Sequence, residues 1–254
     1  MAKSTSTPPN PRQAKIQAAS KNTGRGANTI VVAAVVVIVA IVAVVGGVIW
    51  MDRSGGDAAA GDAVPAGTAM GEGFRAYSDA PAKAGAPTVD IFEDFQCPAC
   101  AQFEQVLGPT VKDLATSGAI TLRYHVKTFL DDNLGNDAST RAGNGAFCAA
   151  REGKFQEFHD LVYANQPAQE GQGWTDAGLK GFAEQAGITG DALTQWETCT
   201  KDGSYTTYLQ SVEEASFKAG VRGTPTVKIN GTEVELKDIG TPELFTAAVQ
   251  NATK

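Results

Sequence analysis

The sequence predicts an α/β domain with a mixed sheet and a long helical insertion, preceded by one membrane-spanning helix. Three observations predict it. An uncharged apolar run extends from Ile30 to Trp50. Segments with β periodicity lie on both sides of a block, residues 136–219, whose pattern is helical throughout. One of those strands runs directly into Cys97-Pro98-Ala99-Cys100, and a helical pattern follows it.

Residues 1–29 are rich in Ser, Thr, Pro, Gln, Asn and Lys, have no hydrophobic period, and are expected to be a disordered cytoplasmic tail. The run 30–51 is the expected transmembrane anchor. As a helix, Ile30 to Trp50 spans about 31 Å, close to the hydrocarbon thickness of a bilayer. Lys3, Arg12, Lys15, Lys21 and Arg25 precede it with no acid among them, which places the N-terminus in the cytoplasm and the rest of the chain outside. A cleaved signal peptide is the alternative: its apolar core is usually shorter, but Ala58-Ala59-Ala60 offers small residues that suit a peptidase. Residues 52–85, mostly Ala, Gly, Asp and Pro, read as a flexible linker reaching roughly 30 Å, with a short strand conceivable near Phe74 to Tyr77.

The domain proper is expected over 86–254. Thr88 to Phe95 is β-branched and aromatic, hence a strand. Phe103, Val106, Leu107, Val111 and Leu114 recur at helical spacing after the C-x-x-C, with Gly108-Pro109 expected to kink or interrupt that helix. Ala119 to Phe129 alternates as a second strand. Helices are expected near 139–150, 154–165, 176–186, 191–200 and 205–219, the last closed by Gly220. Asn230-Gly231 between Thr226–Ile229 and Thr232–Leu236 predicts a hairpin, because that dipeptide suits a type I′ turn. Thr241-Pro242-Glu243 then opens a final helix with an N-cap, a proline at the first helical position and an acid in the first turn.

Charge narrows the function. All 28 acidic residues lie beyond residue 51 with 16 basic ones, a net of −12, so that part lacks the basic footprint that nucleic acid requires. No nucleic-acid partner is expected.

The chemistry concentrates in Cys97 and Cys100. A thiolate is the nucleophile of disulfide exchange. Cys97 stands where a strand ends and a helix begins, so unpaired backbone N–H groups and the positive end of the dipole favour an anion on it. Pro98 lacks an N–H and suits the first helical turn. Cys100 lies one turn on, within reach of Cys97, and more buried. A zinc site is one alternative. It would need a second close ligand pair, whereas Cys148 and Cys199 are far apart in sequence and the two histidines, His125 and His159, form no doublet; no metal and no cofactor are expected. A merely structural Cys97–Cys100 bridge is another alternative, although so short a loop constrains the unfolded chain little.

Three further features bear on the site. Thr224-Pro225 enters a strand. X-Pro bonds can be cis, and a cis bond here would leave the preceding backbone free to pair with an extended substrate; a plain turn proline is the other reading. Cys148 and Cys199 both fall on apolar helix faces. They form either a disulfide stapling the helical block, a second redox pair, or two free buried thiols, and an exported domain favours the staple. Glu93 and Asp94 precede the motif. Strand-end acids in water are the plainer reading, but a carboxylate beneath the pair could accept the proton of Cys100. His125 and His159 read as packing or surface residues rather than catalysts.

Phe92-Glu93-Asp94-Phe95-Gln96-Cys97-Pro98-Ala99-Cys100 together with Gly220-Val221-Arg222-Gly223-Thr224-Pro225-Thr226, the hairpin and the last helix resemble the DsbA-like branch of the thioredoxin superfamily over roughly residues 85–252. The helical block is similar to the insertion of that branch, and the N-terminal anchor resembles exported bacterial, particularly actinobacterial, members. The resemblance implies a thioredoxin fold, Cys97 as the exposed nucleophile, Cys100 as the resolving cysteine, and Pro225 as a cis-proline facing them. Thr224, Pro98 and Ala99 would contact substrate. It implies an enzyme that oxidises dithiols of reduced exported proteins and is reoxidised by a membrane quinone-linked thiol oxidase of the DsbB or vitamin K epoxide reductase-homologue type; with no amphipathic surplus to suggest a dimerisation arm, a monomer is expected. One departure stands out: DsbA carries His where this chain has Ala99, and that His stabilises the thiolate. A reductase or isomerase therefore remains an alternative, as does a non-catalytic peptide-binding module.

Overall fold

The computed structural model describes residues 61–253. The expected cytoplasmic tail and transmembrane anchor lie outside those residues. Among the described residues no helix is long and apolar enough to cross a membrane.

Five strands, β1 (Phe74–Arg75), β2 (Thr88–Asp94), β3 (Thr121–Lys127), β4 (Thr226–Ile229) and β5 (Thr232–Val234), form one mixed sheet in the order β1-β3-β2-β4-β5. The central strand β2, Thr88–Asp94, pairs in parallel with β3, Thr121–Lys127, through helix α1, Pro98–Thr116. On its other side β2 pairs antiparallel with β4, Thr226–Ile229, which turns back into β5, Thr232–Val234. Val89, Ile91, Leu122, Tyr124, Val126 and Val227 are almost fully buried in the core. This is the thioredoxin architecture. Its parallel β2–α1–β3 unit delivers the C-terminal end of β2 and the N-terminal end of α1 to one place, and that place is Cys97.

Between β3 and β4 lie α2 (Phe129–Leu134), α3 (Ala138–Arg151), α4 (Phe155–Ala164), α5 (Asp176–Gln185), α6 (Asp191–Lys201) and α7 (Thr206–Lys218). Helix α3 is the hub of this block. It buries a continuous face of small residues and Phe147, so its neighbours approach closely. The Cβ of any residue at Gly145 would meet Phe158 at 3.0 Å and Trp196 at 3.4 Å. Trp196 Nε1–H donates to Gly145 O at 2.9 Å. Cys148 on α3 and Cys199 on α6 are joined by a disulfide with Cα atoms 5.9 Å apart.

Three expectations are corrected. Residues 61–85 of the expected flexible linker are packed onto the domain. Ala63 N–H donates to Ser204 O at 2.9 Å, Tyr208 Oη–H donates to Glu72 O at 2.6 Å, and β1, Phe74–Arg75, adds an antiparallel edge to β3. Ala-, Gly- and Pro-rich composition hid this, because the anchoring groups are backbone atoms and Phe74, which leans on Phe147 and Phe155. Gly108-Pro109 does not interrupt α1, which runs through it. Finally, β5 stops at Val234, and Leu236–Ile239 forms a short helix, α8, before α9, Pro242–Ala252. The hairpin turn itself has both Asn230 (φ 49°) and Gly231 (φ 78°) at positive φ, as a type I′ turn demands. Thr241 caps α9, its hydroxyl accepting from Leu244 N–H.

Candidate functional site

Cys97 is the N-cap of α1 and Cys100 lies in its first turn. Both are free thiols. Cys100 is fully buried and Cys97 keeps 8% of its exposure, so the sulfur expected to be exposed is largely covered. The cover is the loop before β4: the Cys97 thiol donates to Thr224 O at 3.4 Å across the cis Thr224–Pro225 bond, and Pro225 is buried. Pro98 and Ala99 stand exposed beside the pair. The two sulfurs face each other. The Cys100 thiol donates to Cys97, and this is the largest reason why the Cys97 pKa falls to about 6. Burial opposes the shift; Thr224 and the backbone N–H groups of Cys100 and Ala99 add to it. Thr224 Oγ1, buried and without a hydrogen-bond partner among the described residues, is the hydroxyl free to turn toward that sulfur. Burial first, and then the hydrogen bond and charge of Cys97, push Cys100 well above the ordinary thiol range. One sulfur is therefore an anion at neutral pH and its neighbour holds a proton.

The motif is held by side chains that the sequence did not reveal. Asp94 is fully buried, not solvated at a strand end. Its Oδ1 accepts from Gln96 N–H at 2.9 Å, and Ser139 Oγ–H also donates to it, while Oδ2 accepts from Leu130 N–H at 3.2 Å. Desolvation nevertheless raises its pKa to about 7. Gln96 Nε2 donates to Asp131, Asn136 and Ser139, and Gln166 Nε2 donates to Phe95 O at 2.7 Å and Cys97 O at 3.0 Å. The insertion thus clamps the strand end on which the nucleophile sits. A local sign of this was the run of polar residues Glu93, Asp94 and Gln96 among the aromatic residues at the strand end.

Behind Cys100 lies a buried charged group. Glu93 Oε1 accepts from His159 Nε2 at 2.7 Å, and both side chains are almost completely buried. Neither is the solvated acid or ordinary packing histidine that the sequence suggested. Burial depresses the His159 pKa, but Glu93 and Asp160 more than reverse this, so the imidazole is held well above its usual range. The charge of Glu93 reaches Cys100 and contributes to its high pKa. His125, by contrast, pairs with Asp90 at 2.9 Å and stacks on Phe92, a structural role.

Because the Cys97 pKa is depressed in the folded reduced protein, the thiolate stabilises that state increasingly as pH rises from about 6 toward the unperturbed 9.0, and this stabilisation is lost as pH falls through about 6. The rate of alkylation of the reduced protein by iodoacetamide should accordingly titrate with a midpoint near pH 6. A midpoint near the unperturbed thiol value would mean that Cys97 is not activated.

This geometry has close counterparts. A thioredoxin family model ("Thioredoxin") matches residues 82–251. The thiol:disulfide interchange protein DsbA of Escherichia coli K12 is 30% identical over 150 residues, spanning 58% of this chain and 68% of that protein. The oxidised DsbA structure of Mycobacterium tuberculosis superposes with a TM-score of 0.57 at 32% identity, covering 70% of this chain and 90% of that one. MdbA, a thiol-disulfide oxidoreductase from Actinomyces oris, shares the fold with a TM-score of 0.58 at 24% identity, over 67% and 83% of the two chains. A strand-to-helix Cys-Pro-Ala-Cys pair facing a cis-proline, on this fold and with these relatives, leads to one conclusion: the chain belongs to the thioredoxin family, as a protein disulfide oxidoreductase of the DsbA-like type.

Proposed function

We propose that the protein works outside the cytoplasm as an oxidant of dithiols in exported proteins, tethered by the apolar run at 30–51. The observation that carries the direction is the asymmetry of the pair: Cys97 is stabilised as a thiolate with a pKa of about 6. Stabilising the reduced form of the enzyme makes its disulfide a better acceptor of electrons.

The reaction runs from the oxidised enzyme. A substrate thiolate attacks Cys97 Sγ and forms a mixed disulfide; the Cys97–Cys100 bond breaks and Cys100 leaves with its electron pair. Cys100 is then protonated, as its raised pKa favours. The second substrate thiolate attacks the substrate sulfur of the mixed disulfide, and Cys97 departs as the stabilised thiolate. Two electrons have passed from substrate to enzyme. In the reverse direction Cys100 must lose its proton, with Glu93, whose charge reaches it, as the acceptor. Thr224, exposed Pro98 and exposed Ala99 form the surface that meets the substrate chain. Reoxidation is assigned to a membrane quinone-linked thiol oxidase of the DsbB or vitamin K epoxide reductase-homologue type, and the enzyme acts as a monomer.

Ala99 favours a second reading. With no imidazole in the motif, the thiolate lacks one stabilising charge, which suits a reductase or isomerase kept reduced in the cell. The full-length protein should oxidise reduced ribonuclease and show a reduction potential well above that of thioredoxin, about −270 mV. A potential as low as thioredoxin's, with no oxidase activity, would sink the oxidant reading. Alkylation trapping of Cys97 and Cys100 in cells separates the two directions, a mostly reduced pair supporting the reductase.

A further inference from the structure

Glu93 from β2, Glu104 from α1 and His159 from α4 meet in the core, and one ligand atom of each lies within 4.8 Å of the other two. Glu93 retains 1% of its exposure, Glu104 9% and His159 none. Glu93 Oε2 and Glu104 Oε1 are both buried without a hydrogen-bond partner among the described residues. Two buried acids share one imidazole, and each is left with an oxygen that a cation replacing their protons would satisfy.

The histidine is set up to be a ligand. Its Nδ1 lies 3.0 Å from Asp160 Oδ1, an acceptor, and its Nε2 faces Glu93. With Nδ1–H donated to Asp160, loss of the Nε2 proton now shared with Glu93 would leave an Nε2 lone pair turned toward the two acids. A carboxylate on the far nitrogen is what orients most metal-binding histidines. Tyr124 and Tyr163 flank the ring, with centroids 4.7 and 5.0 Å away, and exclude water. Gly108 fits the same purpose. Glycine in a helix interior costs up to about 1 kcal/mol, yet a Cβ there would come within 2.8 Å of Glu104 Oε2. The glycine makes room for the carboxylate. Glu104 and Asp160 also line an open groove of about 920 Å³ beside Pro98, which gives an ion a path from solvent.

We propose that Glu93, Glu104 and His159 bind one divalent transition cation one helical turn beneath Cys100, since Cys100 and Glu104 share a face of α1 at i and i+4. Two carboxylate oxygens and an imidazole, with an open position toward the groove, suit Zn²⁺, Mn²⁺ or Co²⁺. The lack of a Cys/His doublet argued against a thiolate zinc site; it does not touch this one, whose ligands come from three separate elements. A positive charge here favours the Cys100 thiolate, so loading would tune the pair whichever direction it works in.

The test uses the full-length protein without an affinity tag and in its oxidised form, so that neither Cys97 nor Cys100 can ligate. Titration calorimetry with ZnCl₂ should show one saturable site with proton release, and CoCl₂ should give a visible absorption band. Glu104→Gln, which keeps the shape of the side chain, should weaken Zn²⁺ binding by more than about tenfold, and Asp160→Asn by about tenfold through the imidazole it orients. Absence of saturable binding, or an affinity unchanged in both variants, overturns the proposal: the group then holds protons only, or the ion binds elsewhere. Should Glu104→Gln not fold, Asp160→Asn alone decides, an unchanged affinity overturning the site.

Discussion

Cys97→Ser is expected to lower the oxidation of reduced ribonuclease by about a thousandfold or more, the scale on which enzymes lose a nucleophile, whereas Cys100→Ser should trap substrates as stable mixed disulfides on Cys97. The two outcomes differ because the structure makes the sulfurs unlike. Cys97 sits at the mouth of α1, receives the hydrogen bond of Cys100, and ionises near pH 6. Cys100 is fully buried and its proton is held far more tightly, so it cannot replace Cys97 as the attacking group. Once a mixed disulfide exists on Cys97, however, Cys100 is the enzyme thiol beside it that can reverse the step, and without Cys100 the bond lasts until a second substrate thiolate reaches it. Non-reducing electrophoresis reads both results: Cys97→Ser after incubation with reduced ribonuclease, and Cys100→Ser after its Cys97 has first been converted to a mixed disulfide with glutathione, so that a ribonuclease thiolate displaces glutathione and the oxidising equivalents of the missing Cys97–Cys100 bond are supplied. If Cys97→Ser keeps as much as about a tenth of the activity, another group is the nucleophile.

The elements and the reactive pair were legible because their signals are local. The strand into Cys97, Pro98 at the helix start, Asn230-Gly231 and Thr241-Pro242 each act through the nearest few residues. What surrounds the pair was not legible, since it is assembled across the chain. Glu93 and His159 are 66 residues apart and Asp94 and Ser139 are 45 apart, and nothing in their neighbours shows that the helical insertion lands on the strand end. An acid next to a motif is usually solvated, so burial of Glu93 and Asp94 ran against the ordinary expectation for charged groups. Gln166 is a similar case: a glutamine after a helix end gives no hint that its amide holds Phe95 O and Cys97 O. A further clue was the spacing of Cys100 and Glu104, which sets them on one face of α1. Residues 61–85 misled for a different reason, as low-complexity composition predicts flexibility only when no partner surface exists, and β3 and α7 supply one.

The pairing of Cys148 with Cys199 yields the second large effect, on stability rather than chemistry. The bridge spans 51 residues, and closing a loop of that length removes enough unfolded-state freedom to contribute about 4 kcal/mol in the chain-entropy model. The Cys148→Ala/Cys199→Ala protein should therefore melt about 8–16 °C lower, given the size of the domain. The loss should be felt in α3 and α6, where Cys148 and Cys199 pack among Phe147, Phe158 and Trp196. It should not be felt at Cys97, whose hydrogen bonds come from Cys100, Thr224 and Gln166 and not from the bridge. Calorimetric melting and the pH dependence of alkylation, measured on the same variant below its melting point, separate the possibilities. A lower melting temperature with an unchanged midpoint near pH 6 and unchanged ribonuclease oxidation identifies a staple. Lost oxidation with unchanged melting would instead make Cys148 and Cys199 a second redox pair passing electrons to the first. Both cysteines are buried, at 1% and 3% of full exposure, and exchange needs an attacking thiolate to reach a sulfur along the S–S axis. Burial of that degree is why the staple is the expected result.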